Sequence, residues 1–155
     1  MEQEVLTIQV AITGTTQVQG ARGNGNMVAF TGRVDCPLFQ GVILPGGIDT
    51  QTMVKWHLTL SARYILEGTD STGRQGRIFI ENNGESDDPA TPMITHPRIF
   101  TDCLSLQWLE EASLYGPSSP CPKAKCASTF FPVEPFFRTT SLSCPAGQRI
   151  QRRNL

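Results

Sequence analysis

Between Phe39 and Asp49 the chain reads Phe-Gln-Gly-Val-Ile-Leu-Pro-Gly-Gly-Ile-Asp. The first half suits a buried pleated surface, because Val42, Ile43 and Leu44 are β-branched or aliphatic. The second half cannot prolong that strand. Pro45 has no amide hydrogen to give to a sheet ladder, and Gly46 and Gly47 open backbone angles that strain other residues. The stretch therefore predicts a strand, a sharp turn and then a carboxylate, Asp49, presented at a strand end. That carboxylate has two possible uses: it ties down the turn's own amides, or it stands at the mouth of a β-structure as a reactive group.

Turn residues recur along the whole chain. Gly and Pro number 14 and 11 among 155 residues, which leaves room for many short elements and few long helices. One domain is expected at this length. The formal net charge is −1, with no block of Lys and Arg and no acidic tail, so neither nucleic acid nor a membrane surface is an implied partner. No apolar run is long enough to span a bilayer as a helix. The N-terminus, Met-Glu-Gln-Glu, lacks the basic and apolar regions of a secretion signal, so a cytoplasmic protein is expected. The five cysteines, Cys36, Cys103, Cys121, Cys126 and Cys144, are an odd number, which argues for free thiols rather than a disulfide framework. Cys121, Cys126 and Cys144 have no neighbouring histidine to complete a zinc site, so no metal is expected.

Alternation places the strands. Val5 to Ile12, Met27 to Val34 and Phe39 to Leu44 read as the first three, with Thr13 to Asn26 as a long loop. Met53 to Glu67 reads as the longest strand, with Leu58, Leu60, Ala62, Tyr64 and Leu66 on one face. Arg77 to Asn83 returns beside it across the turn Thr69-Asp-Ser-Thr-Gly73, with Ile78, Ile80 and Asn82 on one face. Glu85 to Pro92 is an acidic loop, and Pro97 to Thr101 a short extended piece. Asp102 is placed to cap a brief helix over Leu104 to Glu111. Pro117 to Pro122 reads as a linker. Many short strands and one short helix predict an all-β protein, a closed antiparallel barrel or a sandwich.

These pieces, in this order, resemble the family of small barrel proteins catalogued as domain of unknown function family 3237. The resemblance rests on Gly20-Ala-Arg22, Gly41-Val-Ile-Leu-Pro-Gly-Gly-Ile-Asp49, Ala62-Arg-Tyr64, Ile78-Phe-Ile-Glu-Asn82 with Gly84, Pro97-Arg-Ile-Phe100 and Trp108-Leu109. It covers Val5 to Tyr115 and implies an antiparallel lipocalin-like β-barrel with an internal cavity; a single barrel domain is expected over residues 1–138, followed by a tail at 139–155. It also implies a place in small-molecule metabolism, with secondary metabolism the expected setting. Thr50 stands where the family has an aromatic residue after the aspartate. Thr129 to Arg138, where the family has a regular last strand, carries Pro132 and Pro135.

In such a barrel one strand face looks inward. The apolar faces place Tyr64 and Asn82 inside, able to orient a ligand or to satisfy each other. Asp49 is then the candidate base, with Tyr64 or His96 as the proton donor. Arg22, Asn82 and Trp108 are candidate substrate-binding residues. Arg63 and Glu81 fall on the opposite faces of the same strands, where they form an outer ion pair; if inside and outside are exchanged they enter the site instead. His57 shares the outward face with Arg63. The expected function is a cofactor-independent isomerase, cyclase or lyase acting on an apolar metabolite, with a non-catalytic carrier as the alternative. A homo-oligomer is expected from the aromatic segment Phe130 to Phe137.

Overall fold

The computed structural model describes residues 4–88, 91–118, 125–132, 142–143 and 149–150. The strands are β1 (Leu6–Gln19), β2 (Asn24–Cys36), β3 (Phe39–Ile43), β4 (Ile48–Val54), β5 (His57–Asp70), β6 (Gln75–Ser86) and β7 (Met93–Thr101). A 3₁₀ turn (Leu104–Leu106) and the helix α1 (Trp108–Glu111) follow, and then β8 (Leu114–Ser118) and β9 (Lys125–Pro132). All pairings are antiparallel. They run from β1 through β9, β8, β7, β6 and β5 to β3 and β4, then to β2 and back to β1, so the sheet closes into a barrel. Two short strands, β10 (Leu142–Ser143) and β11 (Arg149–Ile150), pair only with each other.

The alternation read from the sequence decides which face looks inward. Leu66, Ile78, Ile80 and Ile99 are wholly or almost wholly buried, together with Leu6, Ile8, Val34 and Phe39 from the other walls. Their burial fills the lower half of the barrel. Leu106 and Leu109, from the 3₁₀ turn and α1, are buried against the same core and close its base. A carboxylate secures that closure. Asp70 accepts hydrogen bonds from the amides of Thr72 and Arg74, from the Thr72 hydroxyl at 2.6 Å and from Ser105 Oγ at 2.7 Å. Those donors hold its pKa down at about 2, and they pin the β5–β6 turn to the closing segment.

The upper half differs. Inward-facing Val28, Asp49, Gln51, Met53, Leu58, Leu60 and Ala62 are only half-buried, although their neighbours two or four residues lower on the same strands are fully buried. The barrel is therefore a cup, packed below and accessible above. The cup opens toward the β1–β2 turn at residues 20–23 and the β4–β5 turn at Lys55 and Trp56.

Several expectations give way here. Thr13 to Asn26 is not a long loop: β1 and β2 form one ladder out to Gln19 and Asn24, with a bulge at Thr13. Exposed Thr and Gln residues keep strand geometry there because the partner strand satisfies their backbone. Met53 to Glu67 is not one strand but the end of β4 and most of β5. The turn between them hides in the sequence, since it uses no Gly or Asn; Lys55 itself takes the left-handed conformation, with φ 56°. Leu114 to Ser118, whose last two residues read as linker in the sequence, is strand β8. Asp102 does not cap the helix; it accepts a hydrogen bond from the Arg77 amide at 2.6 Å, and Cys103 takes the cap position. Pro132 ends β9 rather than breaking it, and β9 pairs with both β1 and β8. Residues 133–141 lie outside the described residues, as does most of the tail at 139–155. Phe130, part of the segment expected to be exposed, is fully buried.

The Pro-Gly-Gly stretch behaves least as expected. It does not reverse the chain. β3 and β4 run in the same direction, both antiparallel to β2 and β5. Ile43 pairs with Leu66 and Ile48 with Arg63, so the four residues Leu44 to Gly47 stand opposite two, Tyr64 and Ile65. The stretch is a large bulge in the middle of one wall. Its ends are tied by Leu44 N to Ile65 O at 2.8 Å and by Phe30 N to Gly47 O at 3.1 Å. Gly46 takes φ 110°, and a Cβ on Gly47 would lie 2.8 Å from the Phe30 carbonyl oxygen, so both positions require glycine. The ladder resumes in step at Ile48, and Asp49 sits in mid-wall, not at a strand end.

Candidate functional site

Directly paired residues of adjacent antiparallel strands point to the same face, with Cβ atoms about 4.5–5.5 Å apart. Val28 pairs with Asp49, Asp49 with Ala62, Ala62 with Asn82, and Asn82 with Pro97. These residues form one inward-facing row around the cup. Tyr64 follows Ala62 two residues lower on the same face of β5. Asp49, Tyr64 and Asn82 thus surround Ala62, the smallest side chain of the row.

The polar atoms of this floor lack protein partners. Asp49 Oδ1, Tyr64 Oη, Asn82 Oδ1 and, one row higher, Asn26 Oδ1 are buried without a hydrogen bond. Leaving a buried polar group unpaired costs about 1–3 kcal/mol, and these four lie on four adjacent strands; Ser61 Oγ on the outer face and Trp108 Nε1 at the base are also buried without such a bond among the described residues. Asp49 Oδ2 accepts from Gln51 Nε2 at 2.7 Å, which aims the other oxygen into the cup. Burial raises the Asp49 pKa above the usual carboxylate value, against the opposing hydrogen bonds from Gln51 and the Ser61 backbone. Burial also pushes the Tyr64 phenol far above its ordinary value, so it stays a hydrogen-bond donor. Phe30 braces the Tyr64 ring edge-on, with centroids 5.4 Å apart.

The structure brings together Asp49, Tyr64 and Asn82 and leaves the other candidates apart. Asp49 does not bind the turn's amides, and Tyr64 and Asn82 do not satisfy each other. His96 is exposed on the outer face, in register with Asn83, and lines a shallow groove of about 730 Å³ with Thr50, Thr59 and Ser61. It cannot donate a proton into the cup, because the pleat turns it the other way. Arg63 and Glu81 form the outer ion pair at 2.8 Å, with Arg98 adding a second contact to Glu81 at 3.0 Å. His57 is also outside, bonded to Asp87 at 2.7 Å. Trp108 belongs to the closed base, packed against the core rather than at the cup floor. Arg22 is exposed in the turn at the rim. From Asp49 to Met53, which pairs with Asn24, is four residues, about 13 Å of strand, so Arg22 stays at the rim and does not reach the floor.

Asn26, Gln51 and Ala62 complete the site and were not among the sequence candidates. Gln51 carried a usable signal, two residues after Asp49 and hence on the same face. Asn26 was hidden in a segment that reads as loop. The side chains of Cys121, Cys126 and Cys144 lie outside the described residues; Cys36 and Cys103 are buried free thiols. Among the described residues no group of His, Cys, Asp and Glu has a metal-binding arrangement, and no helix is long and apolar enough to cross a membrane.

The model of a family described as "Protein of unknown function (DUF3237)" matches residues 3–120. No curated protein matches the chain. A protein of unknown function from Clostridium acetobutylicum is similar in structure, with TM-score 0.72 and 24% identity over 86% of this chain and 99% of that one. A β-barrel-like protein from Acinetobacter baumannii aligns at TM-score 0.66 and 14% identity, over 84% of this chain and 94% of that one. A structure described as an enzyme from Penicillium herquei aligns at TM-score 0.62 and 14% identity, over 86% and 95%. At these identities the likeness establishes the barrel fold.

Proposed function

The chain belongs to the family described as Protein of unknown function (DUF3237), and on that footing we propose that it is a cofactor-independent enzyme acting on a small, largely apolar metabolite held in the cup. One observation carries this reading: the buried, unpartnered polar atoms of Asp49, Tyr64 and Asn82 around Ala62. The walls above them, Val28, Met53, Leu58 and Leu60, are apolar and half-exposed, which suits an apolar ligand body with a polar end. Asp49, as carboxylate, takes a proton from the ligand. Its raised pKa makes it a stronger base than an exposed aspartate. The Tyr64 hydroxyl, which keeps its proton, donates a hydrogen bond to the developing oxyanion, and the Asn82 amide orients the same end. Asp49 then returns the proton to a second ligand atom. That cycle leaves oxidation state unchanged, so it supports isomerisation, cyclisation or loss of water. The neighbour described as an enzyme from Penicillium herquei is consistent with catalysis in this fold.

A carrier that holds the same ligand unchanged is the second reading. It is favoured by Tyr64 itself, because a phenol that keeps its proton so firmly is a weak acid. One comparison separates the two. Wild type and Asp49→Asn are incubated with a small-molecule extract of the source cells and followed by mass spectrometry. The enzyme reading expects a compound to be converted to an isobaric or dehydrated product by wild type only, while native mass spectrometry shows the compound bound to both. Equal conversion by both proteins removes Asp49 from the mechanism, and binding without conversion by either establishes the carrier.

A further inference from the structure

The outer face of β5, β6 and β7 carries charge in an arrangement that no role in the cup requires. Ile65, Phe79 and Phe100 pair across these strands into one outward row. Ile65 is 38% and Phe100 50% exposed, and Phe79 stacks on Phe100 with centroids 6.1 Å apart. Each strand places opposite charges two residues to either side of its apolar residue. On β5 these are Glu67 below and Arg63 above. On β6 the order is inverted, with Arg77 below and Glu81 above. β7 returns to the first order: Arg98 lies above, and Asp102, just past the strand's end, lies below, its carboxylate on the Arg77 amide. Within the chain the charges neutralise one another across strands, Glu67 with Arg77 at 2.6 Å and Arg63 with Glu81 at 2.8 Å.

We infer that this face binds a second copy of the same chain, about a two-fold axis lying along the Ile65–Phe79–Phe100 row. A face is self-complementary when a two-fold rotation carries each group onto its opposite. Rotation about that row sets Ile65, Phe79 and Phe100 each against its own counterpart, apolar on apolar. It carries Glu67 onto the partner's Arg63, Arg77 onto the partner's Glu81, and Asp102 onto the partner's Arg98. Every charge therefore meets the opposite sign, on all three strands. The ion pairs Glu67–Arg77, Arg63–Glu81 and Glu81–Arg98 carry the alternation of sign from strand to strand, so the pattern is continuous across the face. Sheets that pack face to face keep their strands within about 30° of one another, so the pairing survives their twist. The polar groove beside it, around Thr50, Thr59 and Ser61, has no such antisymmetry and lies outside the contact. The cup mouth stays open, since it faces along the barrel and not outward from this wall.

The axis makes the test specific, because residues on it meet only themselves. Sedimentation of the full chain at tens of micromolar is expected to give a dimer. Ile65→Glu and Ile65→Lys are each expected to be monomeric, with like charges facing each other on the axis. Mixed in equal amounts, they are expected to dimerise again, with the introduced carboxylate of one chain opposite the introduced ammonium group of the other. Circular dichroism melts of each variant check that the barrel is intact; if either variant is unfolded, Phe100→Glu and Phe100→Lys serve the same purpose at the second on-axis position. A monomeric wild type overturns the inference. So does a dimer that both single variants retain, or single variants that are monomeric and fail to associate when mixed.

Discussion

The pKa values of two aspartates of one barrel are shifted in opposite directions, and their positions explain why. Asp70 is surrounded by donors that stabilise its charge, and its pKa falls to about 2. A carboxylate lowered in the folded state stabilises the fold above its ordinary pKa near 4, and that contribution is lost as pH falls from about 4 through 2. Asp70→Ala is therefore expected to lower the melting temperature at pH 7, corresponding to about 1–3 kcal/mol for a lost buried hydrogen-bonding group. The gap between variant and wild type should narrow on acidification, and a pH series of thermal melts checks it. Asp49 is the reverse case. Its charge is desolvated and its pKa raised, so its contribution to stability is present at low pH and is lost as pH rises through the raised value. Asp49→Asn should melt no lower than wild type at neutral pH. Its turnover should fall about 10²–10⁴-fold, the usual worth of a positioned base. The rate carried by wild type should rise with pH through a midpoint above that of an ordinary aspartate, as initial rates across a pH series would show. Ala62 offers a third test. Ala62→Leu crowds the row between Asp49, Tyr64 and Asn82 with a larger side chain, and it should abolish ligand retention in native mass spectrometry while the barrel still folds.

At the scale of elements, the interrupted strand β3–β4 is what puts Asp49 in mid-wall. A regular strand there would pair residue for residue with β5. The bulge inserts two extra residues, an even number, so the inward-outward alternation is unchanged on its far side and Asp49 returns to the inner face. An odd insertion would turn Asp49 outward beside Arg63. Gly47→Ala should cost about 1–3 kcal/mol, because its Cβ would press on the Phe30 carbonyl, a backbone atom with little freedom to yield. Because Phe30 also braces Tyr64, the substitution should perturb ligand binding as well as stability. Denaturant unfolding and ligand retention on the same variant check both effects. Pro97 lies within β7 for a related reason: the pairing of β7 with β8 ends at Thr95, so a missing amide hydrogen at Pro97 breaks no ladder bond on that side.

For the molecule as a whole, the packed core and the candidate site occupy different ends of one barrel. The base is filled by Leu66, Ile78, Leu106 and Leu109, and the polar floor rests on it. Leu106→Ala is expected to cost about 2–5 kcal/mol, as for other fully buried leucines. Such a loss should leave Asp49, Tyr64 and Asn82 in register in whatever fraction remains folded, since strands and not the helix hold them. Comparing turnover per folded molecule with the fraction folded from denaturant titration tests this separation.

Alternation along the chain was enough to assign the inward set Leu58, Leu60, Ala62, Tyr64, Leu66, Ile78, Ile80 and Asn82. A two-residue period is a local property, and burying one face leaves no choice about which residues go in. The same local reading showed that Arg63 and Glu81 share a face and that Asp49 follows a break in a strand. It could not show that the break rejoins the same wall, because Pro-Gly-Gly permits reversal and bulging alike, and only pairing with both β2 and β5 selects the bulge. It also missed Lys55, which takes a turn conformation usually left to glycine or asparagine because flanking strands hold it there. His96 shows the same limit from the other side. Its residue type suggested chemistry, but its register beside Asn83, set by pairing far along the chain, turned it outward. Which polar groups meet at Ala62 followed from the closed sheet and from nothing local, since the row that pairing builds joins residues as far apart in the chain as Val28 and Pro97.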